Sequence, residues 1–174
     1  MKTHIVFASL LLVVALLVSF ALPGGVAFSM NAPHKYAIKT FNGHYLTAVG
    51  GGGRTTDVIH SNATQIRSWE IFTLIDMGEG NSQYAIQTAN GHYLTAVGGG
   101  GRITDVIHSN ATQVQSWEKF TLNSLGGGFF TLQTVDGHYL TVLGGGGHGT
   151  DLADDLHSDA TKVGSWEKLR FVSQ

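Results

Sequence analysis

The chain has 174 residues, with 10 Lys and Arg against 12 Asp and Glu, a formal charge of −2, and no cysteine. That balance excludes the basic patch of a nucleic-acid binder. The absence of cysteine excludes disulfides, so the fold rests on packing alone.

The first four residues, MKTH, are a short basic start. Residues 5–22 are almost wholly apolar, Pro23-Gly24-Gly25 breaks the run, and small residues follow at Gly25, Ala27 and Ser29. This is the pattern of a secretory signal peptide over residues 1–29. A retained anchor is the alternative, because about 18 apolar residues just span a bilayer. The Pro-Gly break and the small residues favour cleavage. The expected product is secreted and extracellular, with no membrane attachment, a charge of −3 once Lys2 is removed, and a single folded domain over residues 34–174. That length is one ordinary domain with room for a core.

Residues 36–40 (YAIKT) read as a strand. Asn42-Gly43, matched by Asn90-Gly91 and Asp136-Gly137, is a tight-hairpin signal. Residues 44–49 form the return strand, and the glycine run 50–53 ends it. Residues 57–60 make a short third strand, Ser61-Asn62-Ala63-Thr64 a turn, and residues 69–74 a fourth strand. The same text recurs at 84–122 and, with an insertion of three residues, at 130–171. Trp69, Trp117 and Trp166 lie 48 and 49 residues apart. Repeats over about 34–80, 81–126 and 127–174 each carry four short strands, and no stretch has helical periodicity. The fold class is therefore all-β. Three copies of a four-stranded unit imply a β-trefoil, in which six strands close a barrel and three hairpins cap it. Closure removes the exposed sheet edges. A three-bladed propeller-like array ranks behind, since blades number four or more. The expected product is a monomer.

Alternation along the last strand separates its faces. Phe120 and Leu122 share one side; Trp117, Lys119 and Thr121 share the other. In the third repeat Leu169 and Phe171 oppose Trp166, Lys168 and Arg170. Lys and Arg are rarely buried without a partner, so the Trp side is the wetter one and the three indoles are accessible. A bulge near the strand start would undo this reading.

Each repeat also carries an Asp, a His and a Trp-Glu pair in fixed order. These are Asp57, His60, Trp69 and Glu70; then Asp105, His108, Trp117 and Glu118; then Asp154, His157, Trp166 and Glu167. An exposed indole packs on the C–H face of a pyranose, and a neighbouring carboxylate accepts bonds from paired hydroxyls. Each piece also has a plainer reading. Glu70 has core parity, and a carboxylate turned inward would satisfy backbone N–H groups. Asp57 organises a turn, and His60 is a structural hydrogen bonder.

Other chemistry finds little support. Two ligands per repeat fall short of a closed metal site. The glycine runs lack the Lys-Ser/Thr and helix of a phosphate loop; they supply unusual backbone angles or let a loop approach a ligand. Asn62-Ala63-Thr64 and Asn110-Ala111-Thr112 match glycosylation acceptors, but Asp159 takes that place in the third repeat, so a turn is the shared role. No nucleophile arrangement is present. A glycosidase needs two carboxylates acting across one bond, whereas three near-identical shallow sites are the opposite design. No enzyme activity, cofactor or metal is expected.

The segments Gly43-His44-Tyr45-Leu46-Thr47-Ala48, the glycine runs, and His60-Ser61-Asn62-Ala63-Thr64 leading to Ser68-Trp69-Glu70 resemble bacterial fascin-like β-trefoil domains. Such domains are often attached to secreted polysaccharide-degrading enzymes. The pattern is most similar to carbohydrate-binding module family 92, over all three repeats. The resemblance implies a trivalent, lectin-like binder of β-glucan-type polysaccharides, with β-1,3- or β-1,6-linked chains as leading ligands. It carries the family's Trp and Glu onto Trp69 with Glu70, Trp117 with Glu118, and Trp166 with Glu167. The third repeat departs, with His148-Gly149 where Arg54 and Arg102 stand in the others. The fold and the Gly-His-Tyr-Leu pattern also resemble fascin and hisactophilin, cytoplasmic actin-binding trefoils, which implies an actin- or protein-bridging role that the export segment argues against. Nine histidines keep a pH-sensitive partner surface in view. A structural surface protein without a small ligand is the third reading.

Overall fold

A computed structural model of the protein describes residues 33–78, 82–148 and 155–174; residues 1–29 and Asp154 lie outside the described residues. The first repeat supplies β1 (His34–Lys39), β2 (Tyr45–Ala48), β3 (Ile59–Ala63) and β4 (Ile71–Asp76). The second supplies β5 (Gln83–Gln87), β6 (Tyr93–Ala96), β7 (Ile107–Ala111) and β8 (Lys119–Gly126). The third supplies β9 (Phe129–Gln133), β10 (Tyr139–Val142), β11 (Leu156–Ala160) and β12 (Arg170–Ser173).

Six of these strands close a barrel. Antiparallel pairing runs β1–β4, β4–β5, β5–β8 and β8–β9, then through the Phe130–Leu169 bridge to the β12 segment, and from β12 back to β1. The pairs β2–β3, β6–β7 and β10–β11 are the three capping hairpins. The architecture is the β-trefoil expected from the repeats.

The core is built from threefold sets. Ile38, Ile86 and Leu132 are sealed, as are Phe72, Phe120 and Leu169. The third repeat replaces the Phe-x-Leu of β4 and β8 with Leu169-x-Phe171, which moves the ring two positions along the strand while conserving volume. Phe171 then packs edge-on against Tyr36 at 6.0 Å and Phe130 at 5.7 Å.

Two sequence expectations shift. The turn expected over residues 61–64 is largely strand: β3 runs on to Ala63. Between the pairs Tyr45–Ala63 and Thr47–His60, β3 carries one extra residue, a bulge that recurs in all three hairpins. The bulge lets the buried Ser109 and Ser158 pair with the neighbouring repeat, their N–H groups reaching the carbonyls of Arg54 and Arg102 at 2.8 Å. The fourth strand begins at Ile71 rather than Trp69, because residues Ser68–Glu70 form a single 3-10 turn.

The repeats interlock at the glycine runs. The N–H of Asn42 donates to the Gly145 carbonyl at 2.9 Å, that of Asn90 to Gly51 at 3.0 Å, and that of Asp136 to Gly99 at 3.2 Å. Each hairpin tip thus sits on the glycine run of the repeat before it.

Candidate functional site

The Trp-Glu pair of each repeat sits in the tight turn that leads into the last strand. Trp69, Trp117 and Trp166 are 48%, 47% and 47% exposed, whereas Glu70, Glu118 and Glu167 are each 6% exposed. Adjacent residues point oppositely because the turn folds the carboxylate back under itself. One Glu70 oxygen accepts from the Arg67 N–H at 2.8 Å, and the other accepts from the Thr47 hydroxyl at 2.7 Å. The second repeat repeats this with Gln115 at 2.8 Å and Thr95 at 2.7 Å, and the third with Gly164 at 2.6 Å and Thr141 at 2.7 Å. Burying a carboxylate is costly unless donors satisfy its oxygens. The glutamates are therefore brackets that fix the turn, and the indoles stand outward on it. The accessible Trp side follows from this turn, and not from strand alternation, since the Trp precedes the strand.

Thr47 carries the link to the other predicted residues. It pairs directly across the hairpin with His60, as Thr95 does with His108 and Thr141 with His157. Cross-strand partners share a face, so His60 stands beside the Thr47–Glu70 bond. The Nε2 of His60 meets Asp57 Oδ1 at 2.6 Å, and Arg54 donates to Asp57 Oδ2 at 3.3 Å. His108, Asp105 and Arg102 repeat the arrangement at 2.7 and 3.4 Å. Asp57 and Asp105 both take φ +50°, a left-handed conformation that Asp tolerates better than most residues. In the third repeat His157 lies 4.0 Å from Asp159.

Beside each of the first two turns runs a shallow polar groove. One is lined by Asn62, Ala63, Thr64, Gln65, Arg67 and Glu70. The other is lined by Ala111, Thr112, Gln113, Gln115, Ser116, Trp117 and Glu118. Sequence reasoning missed these loop residues and the Thr47, Thr95 and Thr141 set. The signal was present: the Thr is the fifth residue of every Gly-His-Tyr-Leu-Thr segment. Among the described residues no group of three His, Cys, Asp or Glu could hold a metal ion.

The third repeat differs at Asp155, which takes the place of the buried Val58 and Val106 and is only 2% exposed. Burial pushes its carboxyl above the usual carboxylate range. Bonds from the Ser61 hydroxyl and N–H, and the nearby His60 and His148, pull it back in part. One oxygen accepts both Ser61 bonds, at 3.0 and 2.8 Å; the other has no partner among the described residues.

No known protein family matches the sequence, and no curated protein matches it. Solved structures do match in shape. The designed threefold-symmetric protein ThreeFoil aligns at a TM-score of 0.69 with 14% identity, over 80% of this chain and 99% of that one. The Rhizoctonia solani agglutinin aligns at 0.66 with 16% identity, over 82% and 96%. The BEL β-trefoil aligns at 0.62 with 13% identity, over 84% and 97%. At these identities the likeness is one of fold: all three are similar to this chain in having a trefoil.

Proposed function

We propose that the protein is an exported, non-catalytic, lectin-like module that binds polysaccharide at three indole platforms, with β-glucan-type chains as its ligands. The observation that carries this reading is the equal exposure of Trp69, Trp117 and Trp166 at equivalent positions. An indole half in water presents a flat apolar face with a polar N–H at its edge, the form that suits a ligand with both an apolar face and hydroxyls, and here it recurs three times. The reading is supported by trefoil neighbours named as an agglutinin and a lectin. Each indole takes the C–H face of a pyranose. The groove side chains Asn62, Gln65 and Gln113 meet its hydroxyls. The Asp57–His60 and Asp105–His108 pairs border the same face. Glu70, Glu118 and Glu167 act by holding the platform.

A single shallow site of this kind binds in the ~mM range. Three sites on one polymer raise avidity by about 10² when the chain reaches more than one of them. The triple variant W69A/W117A/W166A should lose retention on insoluble β-glucan while keeping its circular dichroism spectrum. Each single variant should lose only part of it. Full retention by the triple variant would reject the platforms.

A further inference from the structure

The three turns share one frame but differ in charge at one fixed position. Arg67, Gln115 and Gly164 each stand two residues before the Trp, and each has its N–H tied to the buried carboxylate. The backbone there is clamped beside the indole while the residue itself is exposed. A side chain at this position is held next to whatever lies on the ring. In the first repeat it is a guanidinium that lines the groove and makes no ion pair among the described residues. The groove's one acid, Glu70, has both oxygens engaged by other donors. Arg54 and Arg102, by contrast, are tied to Asp57 and Asp105. The second groove has neutral Gln115 there, and Lys119 lies outside its lining. The third turn has Gly164 there, which carries no side chain at all.

We propose that the three sites are not equivalent, and that Arg67 makes the first one selective for a pyranose bearing a carboxylate or a sulfate. The guanidinium offers a planar fork that matches either group bidentately. With the sugar ring on Trp69, such a substituent at the ring edge falls over the clamped position. The site is open to water, so the preference is modest and screened by salt. This inference rests on the saccharide reading of the indoles.

The test uses the mature chain with one working platform at a time. W117A/W166A leaves the first site, and W69A/W166A leaves the second. Both are titrated with neutral laminarin, carboxyl-oxidised laminarin and sulfated laminarin, which share a backbone and differ in charge. The first-site protein should bind one or both anionic forms about two- to fivefold more tightly than the neutral one, and the two anionic arms separate carboxylate from sulfate. The preference should vanish in R67Q and in about 0.3 M salt, and Q115R should install it in the second-site protein. A preference that survives R67Q, or that both one-site proteins share, overturns the assignment to Arg67. Neutral binding without any charge preference overturns this inference alone. Loss of all binding in both proteins overturns the saccharide reading and this one with it.

Discussion

Asn90 donates its side-chain N–H to the Gly50 carbonyl at 2.9 Å, and Asn42 makes the same contact with Gly144 at 2.7 Å. Asp136 fills the equivalent place on the second glycine run but has no side-chain N–H to give. Its carboxylate sits beside Gly99, and the link between the repeats there is the main-chain bond to Gly99. Replacing Asp136 by Asn should therefore restore the missing bond. The site is exposed, so the gain is at most about 1 kcal/mol, a rise of a few degrees in melting temperature. A thermal melt of D136N reads it, and an unchanged or lower midpoint would contradict the docking role.

The turn glutamates and the indoles should separate cleanly by stability. Removing Glu118 strands the buried Thr95 hydroxyl and the part-buried Gln115 N–H. E118A should cost about 1–3 kcal/mol. Trp117 is 47% exposed and is not a member of the buried core, so W117A should change stability by under about 1 kcal/mol. Urea unfolding of the two variants side by side decides this. Equal losses would mean the ring is part of the core after all.

Much of this was legible in the chain. The three copies of Gly-His-Tyr-Leu-Thr and Trp-Glu dictate a threefold all-β fold, because a repeat cannot bury its apolar face alone. The exposure of the indoles was also legible, although strand parity was the wrong reason for it. A two-residue period says nothing about a 3-10 turn placed before the strand, and only the Glu70 bonds to Thr47 and Arg67 reveal that turn. The same limit hid the strand character of Ser61 and Asn62. They sit in the bulge of the β2–β3 hairpin, and Ser61 bonds to Gly147 and His148 of the third repeat, contacts that local pattern does not register. The glycine runs could be read as unusual backbone, but not as the seam between repeats.

That seam gives a third expectation. Gly52 holds φ +104°, and a Cβ there would run into the Thr88 side chain; Gly100 meets Thr134 and Gly146 meets Thr40 in the same way. The threonines are buried, so they have nowhere to go. G52A should combine backbone strain of about 1–3 kcal/mol with a clash across the repeat boundary. G78A should be milder, because Gly78 also has positive φ but an added Cβ meets nothing within 4 Å. The gap between the two combines the boundary contact with the greater backbone strain at Gly52, whose ψ is −174°. A G52A protein no less stable than G78A would show that the runs serve the turn and not the packing.

Asp155 sets the pH dependence. Its carboxyl lies above the ordinary value of 3.8 because burial disfavours the charged form. Below 3.8 both the folded and unfolded chains hold the proton, and burial carries no charge penalty. Between 3.8 and the raised folded value only the folded chain holds it, so stability falls as pH rises through that window. Above the window the penalty is constant. D155V places in the third repeat the residue found at Val58 and Val106, and the freed Ser61 N–H keeps the His148 carbonyl, now at 3.4 Å. Ser109 and Ser158 make the corresponding bond at 2.8 Å, so the hairpin has room to tighten. D155V should melt higher than the parent at pH 7, and the gap should narrow as the pH is lowered toward 4. Melts across that range provide the check. A gap that is constant with pH would assign the effect to packing, and a lower midpoint at pH 7 would mean that the Ser61 bonds outweigh the buried charge.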